Sequence, residues 1–255
     1  MGTLNNKTAV VIGASGSSNF GSVIARRLAK EGAHVVVAAR RKEPLEALAA
    51  EINGTAVACD ITDESQIKAL FKTASAHNGN VDIAVNSAGI HALGPIAEMT
   101  PEDIRPTLEI SFIGALMFFK HATAAMNEGG SVVTVSSLTT RIPGPQLSVY
   151  SGTRAGLDYA IKIAALEYAD KGIRFNSIAA GLIQTDMTDM LFGLPPIMEA
   201  YIAATPAGRL GTVDDMAEAA LFLADDSRSG FINGQVLDLS GGQQMGELPR
   251  YEISG

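Results

Sequence analysis

The sequence predicts an α/β chain: one doubly wound parallel sheet of about seven strands, with helices on both faces. Three observations predict it. Short apolar runs alternate with amphipathic stretches from start to finish. The runs are continuously apolar rather than apolar at every second residue, as expected of strands covered by helices on both sides. The chain has 255 residues, 47% hydrophobic and 18% charged, which suits one large domain with a substantial core.

Lys7 to Gly13 is an apolar run entering a glycine and serine cluster, hence strand then loop. Gly21 to Lys30 carries Val23, Ile24 and Leu28 on one helical face. Ala33 to Ala39 reads as a strand, Pro44 to Ile52 as a helix, Thr55 to Cys59 as a strand closed by Asp60, and Ser65 to Ala76 as a helix. Val81 to Val85 is a fourth strand, ending at Asn86-Ser87-Ala88-Gly89. Thr100-Pro101-Glu102-Asp103 sets an N-cap threonine, a proline and an acidic residue in register for a helix running to about Asn127. Thr212-Val213-Asp214-Asp215 marks another start. Ser131 to Val135 is a buried strand ending at Ser137, Val149 to Asp170 a helix, Ile173 to Ile178 a sixth strand and Gln235 to Asp238 a seventh.

No repeat or low-complexity linker divides the chain, so residues 1–255 form one domain. Gly181 to Thr205 breaks the rhythm with Met187, Met190, Leu191, Phe192, Leu194, Ile197 and Met198. Such an excursion over 182–205, near strand ends, suits a lid on an apolar substrate; a subunit contact or an extra core helix are the alternatives. The tail, 243–255, reads as extended.

Net charge is −8 and the chain holds no basic block, which argues against nucleic acid and anionic membranes as partners. No apolar run reaches the ~20 residues of a spanning helix. The polar N-terminus does not read as a signal peptide, and Cys59 alone cannot form an internal disulfide, so a reducing cytoplasm is expected. The four histidines show no metal-ligand spacing, and no metal is expected.

The loop Gly13-Ala14-Ser15-Gly16-Ser17-Ser18-Asn19-Phe20-Gly21 follows the first strand and opens the first helix. Backbone N–H groups and a helix N-terminus in that context suit a dinucleotide pyrophosphate. The second strand ends Ala38-Ala39-Arg40-Arg41, with no carboxylate to grip a ribose 2′-hydroxyl and two guanidiniums instead. Arginine forks onto phosphate, so NADP (NADPH) is expected over NAD. Asp60, followed by Ile61, stands where it can accept from an adenine amino group, and Asn86, Ala88 and Gly89 offer a close backbone approach beside the adenosine.

Tyr150 and Arg154 stand at i and i+4 of a helix, on one face. A cation one turn away favours the phenolate. Ser137, at the end of the preceding strand, can hold a substrate oxygen. The three together suit proton transfer to or from an oxygen.

From Lys7 to Gly242 the chain resembles the short-chain dehydrogenase/reductase family, a Rossmann-type fold. The glycine loop, Asp60, the Asn86–Gly89 stretch, Ser137, Tyr150-x-x-x-Arg154, Ala180-Gly181-x-x-x-Thr185 and Gly241-Gly242 come in family order, with Ser137 thirteen residues before Tyr150. The resemblance implies a ketone or secondary alcohol substrate, Tyr150 as general acid and base, Ser137 polarising the reacting oxygen, Ile183 and Thr185 near the carboxamide of the cofactor, and a homotetramer or homodimer. Four departures stand out. The glycine loop is two residues longer than usual, with Asn19 in place of a glycine. Ser87 replaces an asparagine. Ser111 sits where the family has a fourth catalytic asparagine. Arg154 replaces the active-site lysine and, unlike it, cannot release a proton near neutral pH. The Ser-Tyr-Arg triad also resembles that of halohydrin dehalogenases, cofactor-free relatives of the same fold. A catalytically silent NADP-binding protein is a third reading.

Overall fold

The protein is described by a computed structural model covering residues 2–246 and 248. Seven strands make one parallel sheet: β1 (Thr8–Ile12), β2 (His34–Ala39), β3 (Thr55–Ala58), β4 (Ile83–Asn86), β5 (Gly130–Ser137), β6 (Ile173–Ala180) and β7 (Val236–Leu239). Their order is β3-β2-β1-β4-β5-β6-β7. The chain winds outward one way from β1 and then the other, so the order reverses between β1 and β4. In open sheets of this kind, ligands bind in the crevice above the carboxyl ends at such a reversal.

Alternate strand residues supply two cores, as the period of two requires. Ala9, Val11, Val35, Val37, Val133 and Ile178 face α1 (Phe20–Lys30), α2 (Lys42–Glu51) and a later helix, α9 (Val213–Ala224). Val10, Ile12, Val36, Val132 and Phe175 face the other side. There they meet α3 (Glu64–Ser75), α5 (Gly114–Ala125) and α6 (Ser148–Glu167), and α4 (Pro101–Leu108) packs on α6. Each fully buried side chain such as Phe118, Leu157 or Ile161 contributes about 1.5–3 kcal/mol of transfer free energy.

Both helix starts marked by threonine are capping boxes. Thr100 and Thr212 accept from the N–H of Asp103 and Asp215, whose carboxylates accept in return from the threonine N–H groups. The single helix expected from Thr100 to about Asn127 is interrupted: Glu109–Ile113 is a π-helical turn between α4 and α5. Counted together, Pro101–Ala125 has the length and apolarity of a membrane-spanning helix, a composition the apolar-run reading passed over. In this fold its apolar residues Ala115, Phe118, Phe119 and Ala122, spaced i, i+3, i+4 and i+7, are buried against the sheet.

The excursion after β6 forms two short helices, α7 (Asp189–Phe192) and α8 (Pro195–Ala203). The helix α10 (Asp226–Ser229) precedes β7. After β7 the expected extended tail gives way to a 3-10 turn at Gln243–Met245, entered through left-handed glycines, Gly241 at φ 59° and Gly242 at φ 92°. The part of the expected tail at residues 247 and 249–255 lies outside the described residues.

Candidate active site

One continuous cleft of 1590 Å³ runs over the carboxyl ends of the strands. Its nucleotide half is built where β1 and β2 end. Gly13 has φ 89°, and a Cβ there would lie 2.7 Å from both Ala88 N and Ser87 Oγ. The loop backbone therefore lies directly on the loop after β4, which only glycine permits. Ser87 Oγ donates to Ile12 O at 2.8 Å and ties the two strand ends together. Asn19 is the N-cap of α1: its Oδ1 accepts from Ser22 N at 2.9 Å, and the first turn holds no acidic residue. The positive end of the α1 dipole is left without a competing carboxylate, which fits a pyrophosphate.

Gly13, Ser15, Asn19, Phe20, Arg40, Arg41, Asp60, Ile61, Ala88 and Gly89 all line this half. Arg41 reaches over the loop, donating to Ser15 O at 2.9 Å and Ser15 Oγ at 3.3 Å. Arg40 is exposed and makes no hydrogen bond or ion pair among the described residues. The Asp60 carboxylate is oriented by Thr62, whose N–H and hydroxyl both donate to Oδ1, at 3.0 and 2.8 Å. Ser18 instead lines a second hollow, beside Gln184 and Gly208. Asn86 is fully buried beneath the cleft, its Oδ1 accepting from Ala88 N at 3.0 Å and its Nδ2 without a partner. It shapes the loop rather than the cleft wall.

The chemical half is built from β5 and α6. Ser137 is 8% exposed. Its Oγ accepts from Thr139 N at 3.2 Å and from Thr139 Oγ1 at 3.0 Å. With its lone pairs so engaged, its own O–H is left to donate into the cleft. Tyr150 and Arg154 meet on one face of α6, the guanidinium carbon 5.7 Å from the phenol ring centroid. Arg154 is 5% exposed, and its Nη1 donates to Val135 O at 2.9 Å while Nε is buried without a partner. Its Nη2 lies against Gly89, in space a side chain would otherwise fill. Ser111, carried by the π turn, is buried behind Gly89 and accepts from Ile90 N at 3.4 Å; it does not line the cleft. Gly181, Ile183 and Thr185 line the cleft beyond β6.

Three residues here were not singled out from sequence. His91 stands edge-on to Tyr150, ring centroids 6.0 Å apart. Gln146 lines the cleft in a left-handed conformation, φ 65°. Asp158, buried in the apolar face of α6, accepts from Ser136 Oγ at 3.0 Å, Thr140 Oγ1 at 3.1 Å and Ser177 Oγ at 2.7 Å. Those three bonds fasten the Tyr150 helix to β5, β6 and the turn after Ser137. The signal available was a lone acid between Leu157 and Ile161. From the excursion, Leu182, Met187, Met190, Leu191 and Tyr201 line the cleft, whereas Ile197 is buried.

The parallel sheet, with Ser137 at the end of β5 and Tyr150 on α6 facing one cleft, has the architecture of a Rossmann-type oxidoreductase fold. The family model described as enoyl-(acyl carrier protein) reductase matches residues 13–244. An uncharacterized oxidoreductase of Methylorubrum extorquens is 36% identical over 95% of this chain and 99% of its own length. Carbonyl reductase family member 4 of Xenopus tropicalis is 34% identical over 90% of this chain and 95% of its own. A solved gluconate 5-dehydrogenase of Burkholderia cenocepacia, in complex with NADP and tartrate, superposes with a TM-score of 0.89 at 27% identity, covering 95% of this chain and 97% of its own. The chain belongs to the short-chain dehydrogenase/reductase family of oxidoreductases.

Proposed function

We propose that the protein interconverts a ketone and a secondary alcohol with NADP(H) as cofactor. The carrying observation is that Ser137 and Tyr150 share one cleft with Arg40 and Arg41, at a β2 end that has no carboxylate. A nicotinamide bound in the cleft would supply or accept the hydride. Tyr150 gives its phenol proton to the carbonyl oxygen in reduction and takes it back in oxidation. Ser137 donates its free O–H to the same oxygen and draws charge toward it. Arg154 holds a permanent cation against the Tyr150 ring and passes on no proton. Arg40, without a partner among the described residues, is the group available to a 2′-phosphate, and Arg41 braces the loop beside it. The NADP-bound gluconate 5-dehydrogenase and the carbonyl reductase relative support this reading.

A cytoplasmic homo-oligomer belongs to the same proposal. Tyr159, Ile163 and Leu166, exposed at i, i+4 and i+7 of α6, support a contact between copies.

The chain has no tryptophan, so nucleotide binding is best read by calorimetry. NADPH binds more tightly than NADH, and Arg40→Ala weakens NADPH about tenfold or more while leaving NADH nearly unchanged. Equal weakening of both would sink the phosphate assignment. Arg154 also carries the second reading, a cofactor-free dehalogenase. Bromide binding without nucleotide binding would decide for that one.

A further inference from the structure

Gln243 is 1% exposed, lines the cleft, and its Nε2 has no hydrogen-bond partner among the described residues. A buried amide N–H left unmade costs free energy that a folded chain usually avoids. The position is built, not incidental. Two left-handed glycines turn the chain back after β7; Gln243 N then donates to Ser240 O at 3.1 Å, and Gly246 N donates to Gln243 O at 3.0 Å. The backbone is held on both sides, and the amide nitrogen is buried at the cleft wall with no partner among the described residues.

The strand order says which part of the cleft this is. Gln243 follows β7, five strand positions from β2 and two from β5. At ~4.8 Å per strand the end of β7 lies roughly 24 Å across the sheet from the end of β2 and roughly 10 Å from the end of β5, which carries Ser137. The amide therefore belongs to the Ser137 end of the cleft, away from the arginines proposed for the 2′-phosphate. The cleft wall includes apolar Leu138, Leu147, Met187, Met190, Leu191 and Leu248 beside polar Thr139, Gln146 and Tyr201.

We infer that Gln243 Nε2 donates to a second oxygen on the substrate, several bonds from the reacting carbonyl. The substrate class is an oxo or hydroxy compound with an apolar body and a distal acceptor oxygen. This rests on the proposed ketone–alcohol chemistry of the same cleft, but it is read by binding as well as by turnover.

The test uses matched pairs that exchange a methyl for a hydroxyl: 4-methylcyclohexanone against 4-hydroxycyclohexanone, and 2-octanone against 7-hydroxy-2-heptanone. Calorimetry on the protein saturated with NADP measures binding, and NADPH oxidation measures turnover. The expected result is that the hydroxyl member of at least one pair binds roughly tenfold or more tightly. Gln243→Met removes that preference with an unchanged or raised Tm, because it replaces an unsatisfied amide by an apolar chain of similar size. A structural glutamine would instead give a lower Tm and an unchanged preference. Gln243→Leu serves if Gln243→Met does not fold. The inference is overturned if neither member of either pair binds, if the methyl member binds as well in both, or if the preference survives substitution. Preference in binding without turnover keeps the inference and removes the ketone reading; turnover without preference does the reverse.

Discussion

Gly89→Ala isolates the contact between the loop after β4 and the active-site arginine. Gly89 is not in a left-handed conformation, so the substitution carries no backbone strain. Its whole effect is the added methyl. That Cβ would overlap Arg154 Nη2, lie 2.9 Å from Cζ and approach Ser111 Oγ at 3.4 Å. The guanidinium is 5% exposed and cannot move away without loosening its 2.9 Å bond to Val135 O. Losing a hydrogen bond to a charged group costs about 1.5–3 kcal/mol, and overpacking about 1–3 kcal/mol. The expected destabilisation is therefore roughly 3–5 kcal/mol, or a fall in Tm of about 10 °C for a chain of this size. Denaturant unfolding of Gly89→Ala, Arg154→Lys and the double variant measures the coupling. Lysine lacks the fork that meets the methyl, so in that background the penalty falls to about 1 kcal/mol, a coupling of roughly 2–4 kcal/mol. An equal penalty in both backgrounds would refute the reasoning, since the methyl would then be colliding with something other than the guanidinium.

Tyr150→Phe lowers kcat by about 10²–10⁴ while NADPH affinity by calorimetry is retained; unchanged turnover would remove Tyr150 from the chemistry. His34 stacks on His77 with ring centroids 3.7 Å apart, and burial, then the charge of His77, lowers its pKa. A histidine with a folded pKa below its unfolded value binds more protons unfolded. Its stability contribution is thus full above about pH 6.5 and is lost as pH falls toward the folded value. Tm should drop between pH 7.5 and 5.5, and His34→Gln should flatten the drop; a steeper drop in His34→Gln would contradict the sign. Burial, with Asp60 and Asp63 nearby, pushes the Cys59 thiol up to about 11. The native protein should resist iodoacetamide at pH 7.5 and react once unfolded; rapid native alkylation would show the thiol to be ionised.

The sheet was legible because its strands are apolar without alternation, and the two capping boxes because the whole signal lies within four residues. Ser137, Tyr150 and Arg154 were legible from spacing along one strand end and one helix face. What was not legible depends on the approach of distant segments. His91 and Gln146 sit in loops whose local pattern says only that they are loops. Gln243 sits in a glycine-rich, polar stretch that composition reads as extended, yet left-handed glycines fold it back into the cleft. Ser111 was expected among the catalytic residues by its place in the family order. The structure sets it behind Gly89, because the larger guanidinium takes the space in front.

The π turn at Glu109–Ile113 has a consequence for how this segment can change. One extra residue rotates everything after it by about 100° relative to an unbroken helix. Ser111 faces inward at that turn, and Phe118 and Phe119 reach the core only in the shifted register. Deleting one residue there would close the bulge into an ordinary α turn and leave both aromatic rings in register, whereas straightening the turn at full length would rotate both rings out of the core. One turn thus sets both what stands behind Gly89 and Arg154 and which face of α5 meets the sheet.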